Sequence, residues 1–155
     1  MENKESRSIG RWISVIHRQF QIYINNQLKP YDLNSSEYPY LVNLATNEGV
    51  SQKYLSDILC VDEALTTRVI KSLEQKEYVI REKSLEDKRS YNIRLTEKGK
   101  KIQPIIMDKL KYWTEILSED MSEEQVDFVI HTLNTMANKV IVFNKREKNK
   151  KNQLK

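Results

Sequence analysis

Apolar residues recur every three or four positions along most of this 155-residue chain, and the period shortens to two at one place only. There Tyr91, Ile93 and Leu95 alternate with Asn92 and Arg94, which reads as a strand, with Tyr78 to Lys83 as its hairpin partner across the polar stretch SLEDKRS. Everything else must therefore pack as helices. Ile9, Trp12, Ile13, Ile16, Phe20, Tyr23, Ile24 and Leu28 form the stripe of a first helix that ends near Pro30. Asn34, with Glu37 three residues on, is expected to cap a second helix carrying Leu41, Leu44 and Ala45 and stopped by Gly49. Pro39 allows two readings there, a later start near Pro39 or a distorted first turn. Ser51 caps a short third helix with Leu55, Ile58 and Leu59 inward, and Asp62 caps a fourth that runs to about Lys76. Leu65, Thr66, Val69, Ile70 and Leu73 form the inner stripe of that fourth helix. Ala64, Thr67, Arg68, Lys71 and Gln75 form its opposite face. Thr96 opens a long fifth helix with an expected kink at Pro104, and Ser122 with Gln125 is a capping box for a sixth.

Charge distribution narrows what such a chain can do. The total is +4, from 26 Lys and Arg against 22 Asp and Glu. Residues 1–50 are neutral, 51–101 carry +3 and 102–143 carry −4, while the last twelve residues, NKREKNKKNQLK, carry +5. That end is expected to be a basic, disordered, solubilising tail over 144–155, or a weak phosphate or membrane-surface contact. The informative cations are the ones in the middle segment. Three glycines and three prolines suit a helical protein with few tight turns and disfavour a Gly-rich phosphate loop. A single cysteine forms no internal disulfide, the polar start MENKESRSIG lacks a secretory apolar stretch, and Arg18, Lys29 or Arg68 interrupts every candidate membrane span. The expected location is the cytoplasm.

Two helices joined by the turn Cys60-Val61-Asp62 and followed by a hairpin with a basic tip are the parts of a winged helix-turn-helix. The expected fold is mainly α with a small β-hairpin wing. Its expected parts are an N-terminal dimerisation helix over 1–32, the winged helix-turn-helix over 33–100, C-terminal dimerisation helices over 101–143 and the tail. A recognition helix needs short residues that let its backbone approach the floor of the major groove, and long donors that reach base edges and phosphates. Ala64, Thr67, Arg68 and Lys71 supply that mix. Ser51, Gln52 and Lys53 sit where the free N–H groups of a helix start favour phosphate, and Lys88 and Arg89 at the hairpin tip suit an adjacent narrow minor groove.

The run Asp87-Lys88-Arg89-Ser90-Tyr91-Asn92-Ile93-Arg94-Leu95-Thr96, followed by Glu97-Lys98-Gly99, resembles the D-x-R-x-x-x-x-x-L-T-x-x-G wing signature of the MarR/SlyA family of transcriptional regulators. Thr67 to Lys76 is similar to that family's recognition helix. The resemblance implies a homodimer that binds double-stranded DNA at an inverted repeat, acting as a repressor. In it Arg68 reads a base, Arg89 enters the minor groove, and Asp87 shapes the wing, paired with Arg94. Two positions depart from the family pattern. Glu77 stands where Gly usually follows the recognition helix, and Leu55-Ser56 replaces the usual Leu-Ala. The stripe Phe128 to Phe143, with Trp12, Ile16 and Leu117, offers more apolar surface than a DNA-binding core of that size covers, as a dimer requires.

The resemblance also implies release by a small aromatic anion. Trp12, His17, Arg18, Tyr40, Tyr112 and Trp113 are the candidates, rings to stack it and a cation to hold its carboxylate. Cys60, at the end of the apolar run Ile58-Leu59-Cys60-Val61, reads as a small buried residue. His17 and His131 have no ligand-like spacing, so no metal or other cofactor is assigned. Neither a nucleophile elbow nor a Cys/His cluster supports an enzyme. The competing reading is a winged module that binds a protein partner and no DNA.

Overall fold

The computed structural model describes residues 7–84 and 91–153, without the side chains of 151–153. Helices α1 (Ile9–Leu28), α2 (Tyr38–Thr46), α3 (Gln52–Leu59) and α4 (Glu63–Gln75) precede strands β2 (Val79–Lys83) and β3 (Tyr91–Leu95). Helices α5 (Glu97–Leu117) and α6 (Glu123–Gln153) follow, and β1 (Val50–Ser51) lies between α2 and α3. The sheet is antiparallel in the order β1-β3-β2, with Val79 opposite Leu95, Arg81 opposite Ile93 and Val50 opposite Ile93 on the far side. Strand β1 was not foreseen. Two residues are too few to show a period, and they become a strand only because β3 offers its free edge.

The chain forms two compact units, Met1–Trp113 and Thr114–Lys155, dividing inside α5. The first unit has one core. Ile24 and Leu28 of α1, Leu41 and Leu44 of α2, Leu55 of α3, Ile70 and Leu73 of α4, Ile93 of β3 and Ile106 of α5 are all fully buried in it. The end of α1 and the start of α5 thus belong to the same core as the helix-turn-helix.

The expected caps on α3, α4, α5 and α6 are present. The Ser51 hydroxyl accepts the Tyr54 N–H, Asp62 accepts that of Leu65 at 2.7 Å, and Thr96 that of Gly99. Ser122 and Gln125 complete the reciprocal box, each side chain accepting the other's backbone N–H. At α2 the later start holds. Pro39 occupies its first turn, and Asn34 instead opens the preceding turn, its N–H donating to Glu37 Oε2 and its side chain accepting from Ser36 N–H. Helix α5 runs on through Pro104, which leaves the Lys100 carbonyl without its helical donor.

Four expectations need correction. Ile58 is 44% exposed, because eight residues give α3 one buried face and Leu55 and Ser56 take it. Helix α6 continues to Gln153 through the segment expected to be disordered. Lys, Arg and Glu are good helix formers, and Glu147 pairs with Lys150 one turn on. Cys60 is exposed with φ +56°, at the end of α3. Tight left-handed turns are also more frequent than the glycine count suggested, since Asp32, Cys60 and Glu77 all have positive φ. Each ends a helical segment in the same way. Leu33, Val61 and Tyr78 N–H groups reach back to the carbonyls of Leu28, Ser56 and Leu73, while Asp32, Cys60 and Glu77 N–H groups reach those of Lys29, Asp57 and Glu74. These are Schellman closures, with a side chain at the position that favours glycine.

Candidate nucleic-acid interface

The turn Cys60-Val61-Asp62 works from both sides. Cys60 closes α3, and Asp62 opens α4. A buried polar cluster then holds the two helices together. Thr66 on α4, with no exposed surface, receives the Ser56 hydroxyl of α3 at 2.9 Å and sits 3.0 Å from the Tyr40 hydroxyl of α2. Ser56 stands where the family pattern has Ala, and its hydroxyl is usable because Thr66 faces it. Burial pushes the Tyr40 hydroxyl pKa above 10.0, the Thr66 hydrogen bond opposing and the Asp62 carboxylate adding to the rise.

With Thr66, Val69, Ile70 and Leu73 buried, the other side of α4 faces out, and Ala64, Thr67, Arg68, Lys71 and Gln75 are all exposed on it. Lys53 is exposed at the start of α3, and Ser51 and Gln52 are half-buried there. Ser51 serves as cap and as a β1 residue opposite Asn92. Gln52 Nε2 donates to Thr67 Oγ1 at 3.1 Å, so two of the expected contact residues already touch.

The other end of α4 is tied to its surroundings by charge. Arg81, on the inner face of β2, donates twice to Glu74 Oε2, at 2.7 and 3.0 Å. Lys76 donates to both oxygens of Glu37, at 2.9 and 3.0 Å, and to the Asp32 carbonyl at 2.7 Å. Glu37 is 2% exposed, and Ser72 completes its shell at 2.7 Å. These pairs fix where α4 leads into the wing. The wing's return is fixed at Gly99, where an added Cβ would lie 2.2 Å from the Tyr78 carbonyl oxygen. The glycine of the wing signature is there for that close approach.

Lys88, Arg89 and Asp87 lie outside the described residues. Arg94 is described, and its guanidinium pairs with Glu82 at 2.8 Å and Glu48 at 3.9 Å, two partners not foreseen for it. The diagonal from Arg94 to Glu82 crosses the outer face of β2 and β3, a contact that needs the strand register.

The candidate ligand residues are spread over several environments. Tyr40 belongs to the core. Trp12, His17 and Arg18 are exposed on α1, with Arg11 stacked 5.5 Å from the Trp12 ring and Arg18 donating to Ser14. Trp113 packs on Phe20 and Tyr23 at centroid distances of 5.4 and 5.0 Å, and Tyr112 stands 6.4 Å from Tyr23. Among the described residues no group of three or more His, Cys, Asp or Glu could hold a metal ion, and no helix is long and apolar enough to cross a membrane.

Known proteins share this fold. The sequence profile of the MarR family matches residues 33–91, from the start of the helix-turn-helix unit into β3. The HTH-type transcriptional regulator YybA of Bacillus subtilis is 33% identical over 118 residues, which is 76% of this chain and 79% of that one. A MarR transcriptional regulator from Methanosarcina mazei Go1 superposes with a TM-score of 0.83 at 36% identity, over 87% of this chain and 97% of that one. A MarR family regulator from Listeria monocytogenes, solved in complex with a 26mer DNA, superposes with a TM-score of 0.82 at 27% identity, over 86% and 89%. With more than a third of its aligned residues and its fold shared with the Methanosarcina regulator over nearly all of that chain, the chain belongs to the MarR family of transcriptional regulators.

Proposed function

We propose that the protein is a cytoplasmic repressor that binds an inverted-repeat DNA operator as a homodimer, each copy laying α4 in a major groove and its wing in the flanking minor groove. The observation that carries this reading is the division of α4. One side is locked into the core, and the other presents Ala64, Thr67, Arg68 and Lys71, all exposed. The Listeria relative's complex with DNA supports the same reading. Ala64 and Thr67 allow close approach, Arg68 reaches a base, Lys71 and Lys53 neutralise phosphates, and Lys88 and Arg89 of the wing enter the minor groove.

Two apolar surfaces support the dimer. On α1, Ile9, Trp12, Ile13 and Ile16 are 45–56% exposed, and on α6 Phe128 is 70% and Phe143 62% exposed. A second copy covers these faces, and pairing gives two half-sites about one helical turn apart. Of the candidate ligand residues, Trp12, His17, Arg18, Tyr112 and Trp113 remain for a small aromatic anion that releases the DNA, and Tyr112 and Trp113 stand together against Phe20 and Tyr23.

The test is a selection of bound sequences from a random duplex pool, followed by affinity against salt. An inverted repeat is expected, with log K falling steeply against log salt as several phosphate contacts release counterions. Arg68→Ala should relax specificity at one base pair per half-site, and Arg89→Ala should weaken binding. A flat salt profile favours the protein-partner reading, and a monomer in light scattering at micromolar concentration refutes the dimer. Phenolic acids that neither raise the melting temperature nor weaken DNA binding refute the ligand.

A further inference from the structure

Thr67 lies in the middle of the exposed face of α4, yet its hydroxyl is already committed within the protein. Its proton goes to the Glu63 carbonyl one turn back, at 2.8 Å, and one lone pair takes the Gln52 Nε2 hydrogen at 3.1 Å. A threonine hydroxyl has one proton and two lone pairs, so Thr67 keeps no donor for DNA. The two bonds hold its χ1 from opposite sides, one from its own helix and one from α3, and this fixes where the Cγ2 methyl sits.

Guanine offers only acceptors, N7 and O6, in the major groove, and a residue without a free proton has nothing to give them. Thymine alone presents a methyl group there. We infer that Thr67 is the thymine-reading residue of this chain, through contact of its methyl with the thymine C5-methyl, and that Gln52 is the positioning residue that holds it in that orientation. The inference rests on α4 being the recognition helix, as proposed above. Gln52 retains one N–H and its carbonyl oxygen at the first position of α3. A phosphate taken by that N–H ties backbone contact to base reading through a single side chain.

The experiment uses the full chain and the duplex recovered by selection. Each thymine of a half-site is replaced in turn by uracil, which removes only the methyl. One position should weaken wild-type binding about fourfold per half-site, the worth of one buried methyl. Thr67→Ser keeps both hydroxyl bonds and lacks the methyl, so it should bind the thymine and uracil duplexes at that position equally. Gln52→Glu removes the donor and competes for the Thr67 proton, so its thymine-to-uracil ratio should fall towards one, whatever the overall loss of affinity at low salt. A uracil scan in which no position separates wild type from Thr67→Ser overturns the assignment of Thr67. An unchanged ratio in Gln52→Glu overturns the positioning role. Either result with tight, salt-dependent wild-type binding leaves the DNA-binding reading standing, whereas a wild-type chain that binds no duplex overturns that reading itself.

Discussion

Glu77 occupies the one position after α4 where a side chain is a disadvantage. Its φ is +63°, its N–H closes on the Glu74 carbonyl at 3.0 Å, and the next N–H, of Tyr78, closes on Leu73 at 2.9 Å. A non-glycine residue in this left-handed conformation costs about 1–2 kcal/mol from the clash of Cβ with the following carbonyl. Glu77→Gly removes that cost but loosens the unfolded chain by about 0.4–1 kcal/mol, so the net gain should be about 0.5–1 kcal/mol. For a chain of this size that is a rise in Tm of about 1–4 °C. Thermal melts of Glu77→Gly and Glu77→Ala side by side make the test, because alanine removes the carboxylate and keeps the Cβ. Glycine should stabilise and alanine should not. Equal melting of the two variants, or a less stable glycine variant, refutes backbone strain as the reason. Cys60, with φ +56° in the equivalent closure of α3, provides an independent repeat, and Cys60→Gly should add to Glu77→Gly.

Gly99→Ala should destabilise by about 2–4 kcal/mol in urea unfolding, since the new methyl meets the rigid Tyr78 carbonyl at 2.2 Å; a loss under 1 kcal/mol would show that the first turn of α5 can move away. Lys76→Met leaves the Glu37 carboxylate buried with Ser72 and the Asn34 N–H as its remaining partners and should cost about 2–4 kcal/mol, recovered in part by adding Glu37→Gln. Burial raises the pKa of Tyr23, Tyr38, Tyr40 and Tyr78 above 10.0. The folded chain therefore holds these protons where the unfolded chain loses them, so stability should be unaffected by these groups below about pH 10 and fall as pH rises beyond it. Melting temperature and tyrosinate absorbance, followed together through that range, should change in step.

Much of this protein is determined locally and was legible in the sequence. Ser51, Asp62, Thr96 and Ser122 mark helix starts because a cap needs only its own side chain and an N–H three residues ahead. The periodicity of α4 likewise separated Val69, Ile70 and Leu73 from Ala64, Arg68 and Lys71, since 3.6 residues per turn fixes which side chains share a face. What the sequence could not show depends on residues far apart meeting. Strand β1 exists because β3 has a free edge, and Arg94 finds Glu82 and Glu48 because the strand register puts them there. Thr66 looked like one more member of an apolar stripe until Ser56 and Tyr40 converged on its hydroxyl. Cys60 looked buried because its neighbours are apolar, yet its position at the end of α3 turns it outward. The tertiary structure also brought the Gln52 amide onto the Thr67 hydroxyl while leaving the neighbouring Arg68 exposed. Period and capping are properties of a short segment, whereas partners, register and the direction of a turn are settled only when segments pack.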